Sequence, residues 1–191
     1  YFMYWLAKPV VFHYHGAEAA GKIGMTWQIV AMLQTVATAW LHTKVPQFGN
    51  LIASKRYDEL DRLWRQTFIV TSGALLTGVG VILIVVLALH FASPMLAERL
   101  AEPFPTTLLL IAAIASHVVQ CEAAYLRAHK REPLLVPGIL SGVLSGLVIW
   151  TLGRAYGISG AAFGYFFVMT FISLPLVTAI WHRARTSWRF I

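Results

Sequence analysis

Residues 67–91 read TFIVTSGALLTGVGVILIVVLALHF and contain no ionisable side chain before His90. A helix needs roughly 20 predominantly apolar residues to cross the hydrocarbon core of a bilayer. This stretch meets that requirement and therefore predicts a transmembrane helix. The whole chain agrees, because 58% of its residues are hydrophobic and only 12% are charged, whereas soluble domains carry about 25% charged residues.

The same criterion predicts four more membrane spans. The five predicted spans, A to E, cover residues 23–43, 67–91, 106–126, 134–152 and 158–181. Residues 1–12 are apolar and aromatic but too short to span, so they are interpreted as the end of a preceding helix. The predicted fold class is all-α, a polytopic transmembrane helix bundle with five full spans plus the end of a sixth.

The basic residues predict an orientation, because loops rich in Lys and Arg stay in the cytoplasm. Most of the fifteen Lys and Arg residues fall in alternate connections. These are Lys44, Lys55, Arg56, Arg62, Arg65, Arg127, Lys130, Arg131, Arg183, Arg185 and Arg189. The opposite side holds Lys8, Lys22, Arg99 and Arg154. The predicted C-terminus is therefore cytoplasmic, and the basic residues cap spans rather than bind nucleic acid.

The connection between spans A and B contains two predicted features. PQFGN at residues 46–50 predicts a break in the helix, because proline removes a backbone hydrogen bond. The amphipathic stretch 51–64 either forms a short helix lying on the membrane surface or extends span B into water. The sequence leaves both interpretations open.

Span A carries a stripe of polar residues. Gln28, Thr35 and His42 recur every seven residues, which places them on one helix face, and Thr38 is predicted on the same side with Gln34 farther round. Unpaired polar groups are costly in hydrocarbon, so these groups face protein or a wet cavity. Two interpretations are open: the stripe forms hydrogen bonds to a neighbouring helix, or it forms the wall of a wet cavity. The alignment of four polar residues in one span favours the cavity wall.

Span C contains His117, Gln120 and Glu122, and Glu122 is the only acidic residue within a predicted span. Two interpretations of Glu122 stand. It is a proton or cation site, or it anchors the helix at the membrane surface near Arg127 and Lys130. A lone histidine such as His117 is usually hydrogen-bonded within the bundle.

Small residues predict a tight pair of helices D and E. Gly138, Gly142 and Gly146 recur every four residues in span D, and Gly160 and Gly164 repeat the pattern in span E. Such spacing lets two helices approach closely. Pro175 is expected to kink span E.

The sequence offers little for enzyme chemistry. It has no phosphate-binding Gly-rich loop, no nucleophile elbow and no His-Glu-x-x-His motif. His13 and His15 are too few for a metal site, which needs three or four ligands. We therefore expect a protein that is not an enzyme and uses no cofactor.

Five short motifs carry a resemblance to a known family. They are GKIG at 21–24, VPQF at 45–48, LIA at 51–53, YDEL at 57–60 and LWRQ at 63–66. Together they resemble the C-terminal lobe of polysaccharide (O-antigen type) flippases in the multidrug/oligosaccharidyl-lipid/polysaccharide exporter superfamily. The resemblance implies that residues 1–191 are this lobe of a longer two-lobed transporter, whose own N-terminal lobe is a partner.

The resemblance also implies a function. Such a protein moves a lipid-linked oligosaccharide across the bacterial cytoplasmic (inner) membrane by alternating access. The sequence suggests Gln28, Thr35, Thr38, His42, His117 and Gln120 as substrate-cavity residues and Glu122 as an ion-coupling residue. The rival functions are a drug/cation antiporter of the same superfamily and a non-transporting membrane assembly or sensor module.

Overall fold

A computed structural model of the chain describes residues 2–92, 99–129 and 132–188, and these are almost entirely helical with no strand among them. Lys130, Arg131 and Arg189, three of the basic residues used above for orientation, lie outside the described residues. The helices are α1 (Phe2–Ala53), α2 (Tyr57–Ala92), α3 (Pro103–Ala128), α4 (Leu135–Phe167) and α5 (Leu174–Trp188), and a π-helical segment, Val168–Ser173, joins the last two. The all-α prediction is confirmed.

Three helical stretches are long and apolar enough to cross a membrane: Tyr57–Ala92, Pro103–Ala128 and Leu135–Ser187. The chain is therefore a membrane protein by the composition of its helices. The prediction of five spans is therefore not supported, because three stretches meet the criterion among the described residues. Span A lies within α1, whose polar residues dilute its hydropathy, and predicted spans D and E fall in one continuous helical stretch.

Two glycines fold α1 and α4 back on themselves. Gly16 has φ 88° and ψ 177°, and Gly157 has φ 61° and ψ −134°. Both conformations favour glycine because it lacks a Cβ. Beyond Gly157, Gly164 packs against Val148, sixteen residues away, and across Gly16 the Lys8 side chain packs against Gly24. Each of α1 and α4 therefore consists of two antiparallel arms.

The connection between α1 and α2 differs from the sequence prediction. The helix continues through Pro46 to Ala53 and turns at residues 54–56, where Lys55 has φ 57°. The predicted break at residues 46–50 is therefore wrong. The physical reason is that Phe48 is fully buried when the helix continues. Burying such a ring contributes about 1.5–3 kcal/mol, comparable to the cost of an internal proline. Residues 57–64 extend α2, so the surface-helix alternative is also wrong.

The buried apolar side chains form two clusters along the bundle, and α3 contributes to both. The first cluster includes Ile23, Trp27, Leu75, Leu109, Ile149 and Tyr165. The second includes Leu41, Phe48, Leu60, Leu126 and Val177. We call the end of the bundle with Gly16, Gly157 and residues 99–102 the glycine end. The opposite end, with the 54–56 turn and the last turns of α3 and α5, is the arginine end.

The tight helix pair is confirmed, but its packing residues differ in part from the prediction. A Cβ on Gly160 would overlap the carbonyl oxygen of Leu152, so this contact requires glycine. A Cβ on Gly138 or Gly142 would meet no atom within 4 Å. The Gly138–Gly142 stripe therefore does not form the contact. A π-helical segment, Val168–Ser173, lies just before Pro175.

Candidate functional site

The polar stripe of α1 divides into an inward and an outward part. Thr38 is 5% exposed and donates a hydrogen bond to the carbonyl of Gln34, 2.8 Å away. Gln34 is also buried, and its Nε2 donates to the carbonyl oxygen of Ala113 on α3 at 3.1 Å. The hydrogen-bonded helix contact thus applies to Gln34, whereas Thr38 is buried but bonds within its own helix. The prediction that Thr38 shares the face of the other three is wrong.

Gln28, Thr35 and His42 lie on the outer surface of α1, and we call these three residues the α1 polar face. They are about 10 Å apart along the helix, since seven residues rise about 1.5 Å each. The Thr35 hydroxyl donates to the carbonyl of Ala31 at 2.9 Å, while Met32 and Val36 lie exposed between the polar groups.

The exposed faces of the other long helices are apolar by comparison. On α2 and α4 the large exposed side chains include Ile69, Val70, Val81, Ile84, Leu135, Val136, Ile139 and Val143. Such side chains suit contact with lipid tails. Hydrogen-bonding groups in hydrocarbon would remain unsatisfied, so the α1 polar face suits contact with water or another polar surface.

Glu122 lies inside the bundle with only 4% of its surface exposed. The hydroxyl of Thr178, on α5, lies 3.0 Å from Oε1 and 3.1 Å from Oε2 of this carboxyl group. Arg127 instead lies 3.8 Å from Glu132, and Lys130 lies outside the described residues. Within the described ranges Glu122 has no ion-pair partner, so an anchor through Arg127 does not describe it.

His117 and Gln120 do not join Glu122 in one hydrogen-bonded group. His117 is 1% exposed, its Nε2 lies 3.6 Å from the Cys121 sulfur, and its Nδ1 has no hydrogen-bond partner among the described atoms. Gln120 is half-buried and donates to Ser116 at 3.3 Å. Buried polar atoms usually have a partner. The buried Nδ1 of His117 is therefore an exception to this pattern.

A group of charged and aromatic side chains at the arginine end went unrecognised in the sequence. Arg185 on α5 donates to both oxygens of Asp61 on α2, at 2.8 and 3.2 Å, and the Tyr125 hydroxyl donates to Asp61 at 3.1 Å. Trp64 stacks on Trp181 with centroids 4.9 Å apart. The sequence does contain a pattern that could have indicated this group. Asp61 and Trp64 lie about one turn apart near the start of α2, and Trp181 and Arg185 lie about one turn apart near the end of α5.

The glycine end contains a cavity of about 650 Å³ between α1, the end of α2, the start of α3 and the Gly157 turn. His15 lies in its wall, with Nε2 3.0 Å from the carbonyl oxygen of Gly153. Lys22 forms an ion pair with Glu18 at 2.8 Å, and this hydrogen bond lowers the pKa of the Glu18 carboxyl group. Among the described residues, no three His, Cys, Asp or Glu side chains are placed to hold a metal ion.

No protein family, no curated protein and no solved structure matches the chain in comparisons of sequence and fold.

Proposed function

We propose that the chain is the C-terminal lobe of a two-lobed flippase that moves a lipid-linked oligosaccharide across the bacterial inner membrane. One observation carries the proposal. The outer surface of α1 presents Gln28, Thr35 and His42, whereas α2 and α4 present mainly apolar side chains. A bundle surrounded by lipid on all sides would not place hydrogen-bonding groups there. A glycan needs such groups, and the α1 polar face would line the cavity between the two lobes.

The proposal includes five membrane passes and a cytoplasmic C-terminus. The Gly157 turn divides the apolar stretch Leu135–Ser187 into two antiparallel arms, which supports two passes there. The helices α2 and α3 supply two further passes. Because α1 packs against α2, α3 and α4, its second arm is the remaining one of the five. Lys55, Arg65 and Arg185 all lie at the arginine end, which the distribution of positive charge assigns to the cytoplasm.

Alanine substitution of the α1 polar face tests the transport proposal. We expect Gln28→Ala, Thr35→Ala and His42→Ala, made in the complete reading frame that contains this chain, each to reduce glycan export. A net hydrogen bond is worth about 1 kcal/mol, which corresponds to about fivefold weaker binding of the glycan. Export is measured as surface glycan in cells that lack the native transporter, at matched expression.

Thr151→Ala is the matched control for Thr35→Ala. Both threonines are exposed and both bond to the carbonyl four residues earlier, Thr35 at 2.9 Å and Thr151 at 3.0 Å, but Thr151 lies on α4. Export should be unchanged in this control. Normal export in all three α1 variants would contradict the proposal, and an assembly or sensor module would then explain the chain better.

Glu122 favours a second candidate, a drug/cation antiporter. A buried carboxylate without an ion-pair partner is costly in a membrane protein, about 2.5–3.5 kcal/mol at a helix centre, unless it takes up a proton or a cation. Thr178 supplies one hydroxyl as a neutral partner. A group that gains and loses a cation at such a position is what ion-coupled efflux requires.

Glu122→Gln separates the two candidates. The amide keeps the shape and the contact with Thr178 but cannot ionise. For an antiporter we expect efflux of a cationic dye, driven by an imposed proton or sodium gradient, to fall to background. Glu132→Gln, at an exposed carboxylate 64% accessible, is the control and should retain efflux. Dye efflux that persists in Glu122→Gln would exclude this carboxyl group as the coupling site.

A further inference from the structure

The arginine end contains a second, smaller cavity of about 280 Å³, which we call the basic pocket. Its walls are formed by the side chains of Asp61, Arg62, Trp64, Arg65 and Arg185. Four of these residues come from the first turns of α2, and Arg185 comes from the last turns of α5. The pocket therefore lies where two helices meet rather than on one exposed helix face.

The charges in the basic pocket do not cancel. Asp61 is 11% exposed, and both of its oxygens accept hydrogen bonds from Arg185, with a further bond from Tyr125. Its negative charge is thus matched by Arg185. Within the described part of the chain, the Arg62 and Arg65 guanidinium groups form no ion pair. The basic pocket is consequently a net cationic site with two arginines available to an anion.

The position of the basic pocket relative to the apolar part of α2 indicates which anion is within reach. Trp64 forms one wall, and its indole N–H donates to the carbonyl of Cys121 at 3.0 Å, so the ring is held in place. Three residues later the apolar stretch 67–91 begins. Tryptophan at such a boundary lies at the level of lipid headgroups. Arg62 and Arg65 therefore lie at the depth where phosphate groups of lipids are found.

We infer that the basic pocket binds a phosphate-bearing anion through Arg62 and Arg65, with the headgroup of an anionic membrane lipid as its source. The planar guanidinium fork matches two oxygens of a phosphate group. Basic pockets between membrane helices on the cytoplasmic side bind anionic headgroups by this chemistry. Binding here fastens α2 to α5, and it does not depend on which substrate, if any, the protein transports.

The test is a titration of the purified chain in detergent with dioleoylphosphatidylglycerol, dioleoylphosphatidylcholine or inorganic phosphate, read as the rise in Tm. We expect the anionic lipid to raise Tm more than the zwitterionic lipid. In the double variant Arg62→Gln/Arg65→Gln we expect a roughly thirtyfold weaker apparent affinity for the anionic lipid. Arg62→Lys/Arg65→Lys keeps the charge and should retain part of the effect, which separates loss of binding from loss of folding.

The matched control is Lys55→Gln/Arg56→Gln. It also removes two positive charges, from the turn that precedes α2 and outside the basic pocket, where Arg56 is paired with Glu59, and it should keep the native affinity. Inorganic phosphate that reproduces the Tm rise through Arg62 and Arg65 would support the site and identify a free anion as its ligand. The inference is overturned if neither the anionic lipid nor phosphate raises Tm. Equal weakening in the control, or native affinity in Arg62→Gln/Arg65→Gln, would overturn it too.

Discussion

Gly160→Ala is expected to lower the Tm of the protein in detergent by roughly 6–12 °C. The new Cβ would overlap the carbonyl oxygen of Leu152 and lie 2.6 Å from its carbonyl carbon and 2.9 Å from the Tyr156 Cβ. Two of these three atoms belong to the backbone, which cannot move without opening the two arms of α4. Overpacking costs typically 1–3 kcal/mol, and about 3 kcal/mol corresponds to that change in Tm for a chain of this length.

Gly142→Ala is the matched control. It makes the same chemical change in the interior of the same helix, but the added Cβ meets no atom within 4 Å. Alanine has a helix propensity about 1 kcal/mol better than glycine, so Tm should stay level or rise by a few degrees. An unchanged Tm for Gly160→Ala would show that the arms do not approach closely. Equal losses in both variants would mean that the Gly142 stripe is also packed.

Local pattern predicts the parts of the fold that depend on local chemistry. The uninterrupted apolar stretch 67–91 predicts α2, and the small residues of spans D and E predict the close packing of these two arms. Both features can be predicted because they depend on the type and spacing of residues within a short stretch of sequence. Span count is harder, because α1 mixes polar groups into its sequence and is not among the three stretches apolar enough to cross a membrane.

The candidate site depends on contacts that local pattern does not contain. Thr38 follows Gln28 by ten residues, which turns it about 80° away on a helix of 3.6 residues per turn. That rotation is enough to bury Thr38 while Gln28 stays exposed. Glu122 meets Thr178 across 56 positions, and Asp61 meets Arg185 across 124. No spacing rule relates residues so far apart, so these partners appear only once the helices are packed.

Phe48→Ala is expected to cost about 3–5 kcal/mol of stability and to unwind the last two turns of α1, residues 47–53. Phe48 is 0% exposed and belongs to the same buried cluster as Leu60 and Leu126. Removing a buried aromatic ring costs about that much, because the cavity left behind collapses only in part. Pro46 leaves the carbonyl of His42 without its helical partner. Without the buried ring, nothing offsets that loss, and the helix should end near residue 46. Tm and amide hydrogen exchange at residues 47–53 measure the two effects.

Phe91→Ala provides the comparison, because this phenylalanine is 83% exposed at the end of α2. An exposed position away from special features changes stability by less than about 0.5 kcal/mol, so its Tm should match the native value. Unchanged exchange protection at residues 47–53 in Phe48→Ala would mean that local helix propensity holds these two turns. In that case the continuation through Pro46 would not be a consequence of packing. Faster exchange confined to these residues, with α2 and α3 still protected, would show that burial of one side chain determines where α1 ends.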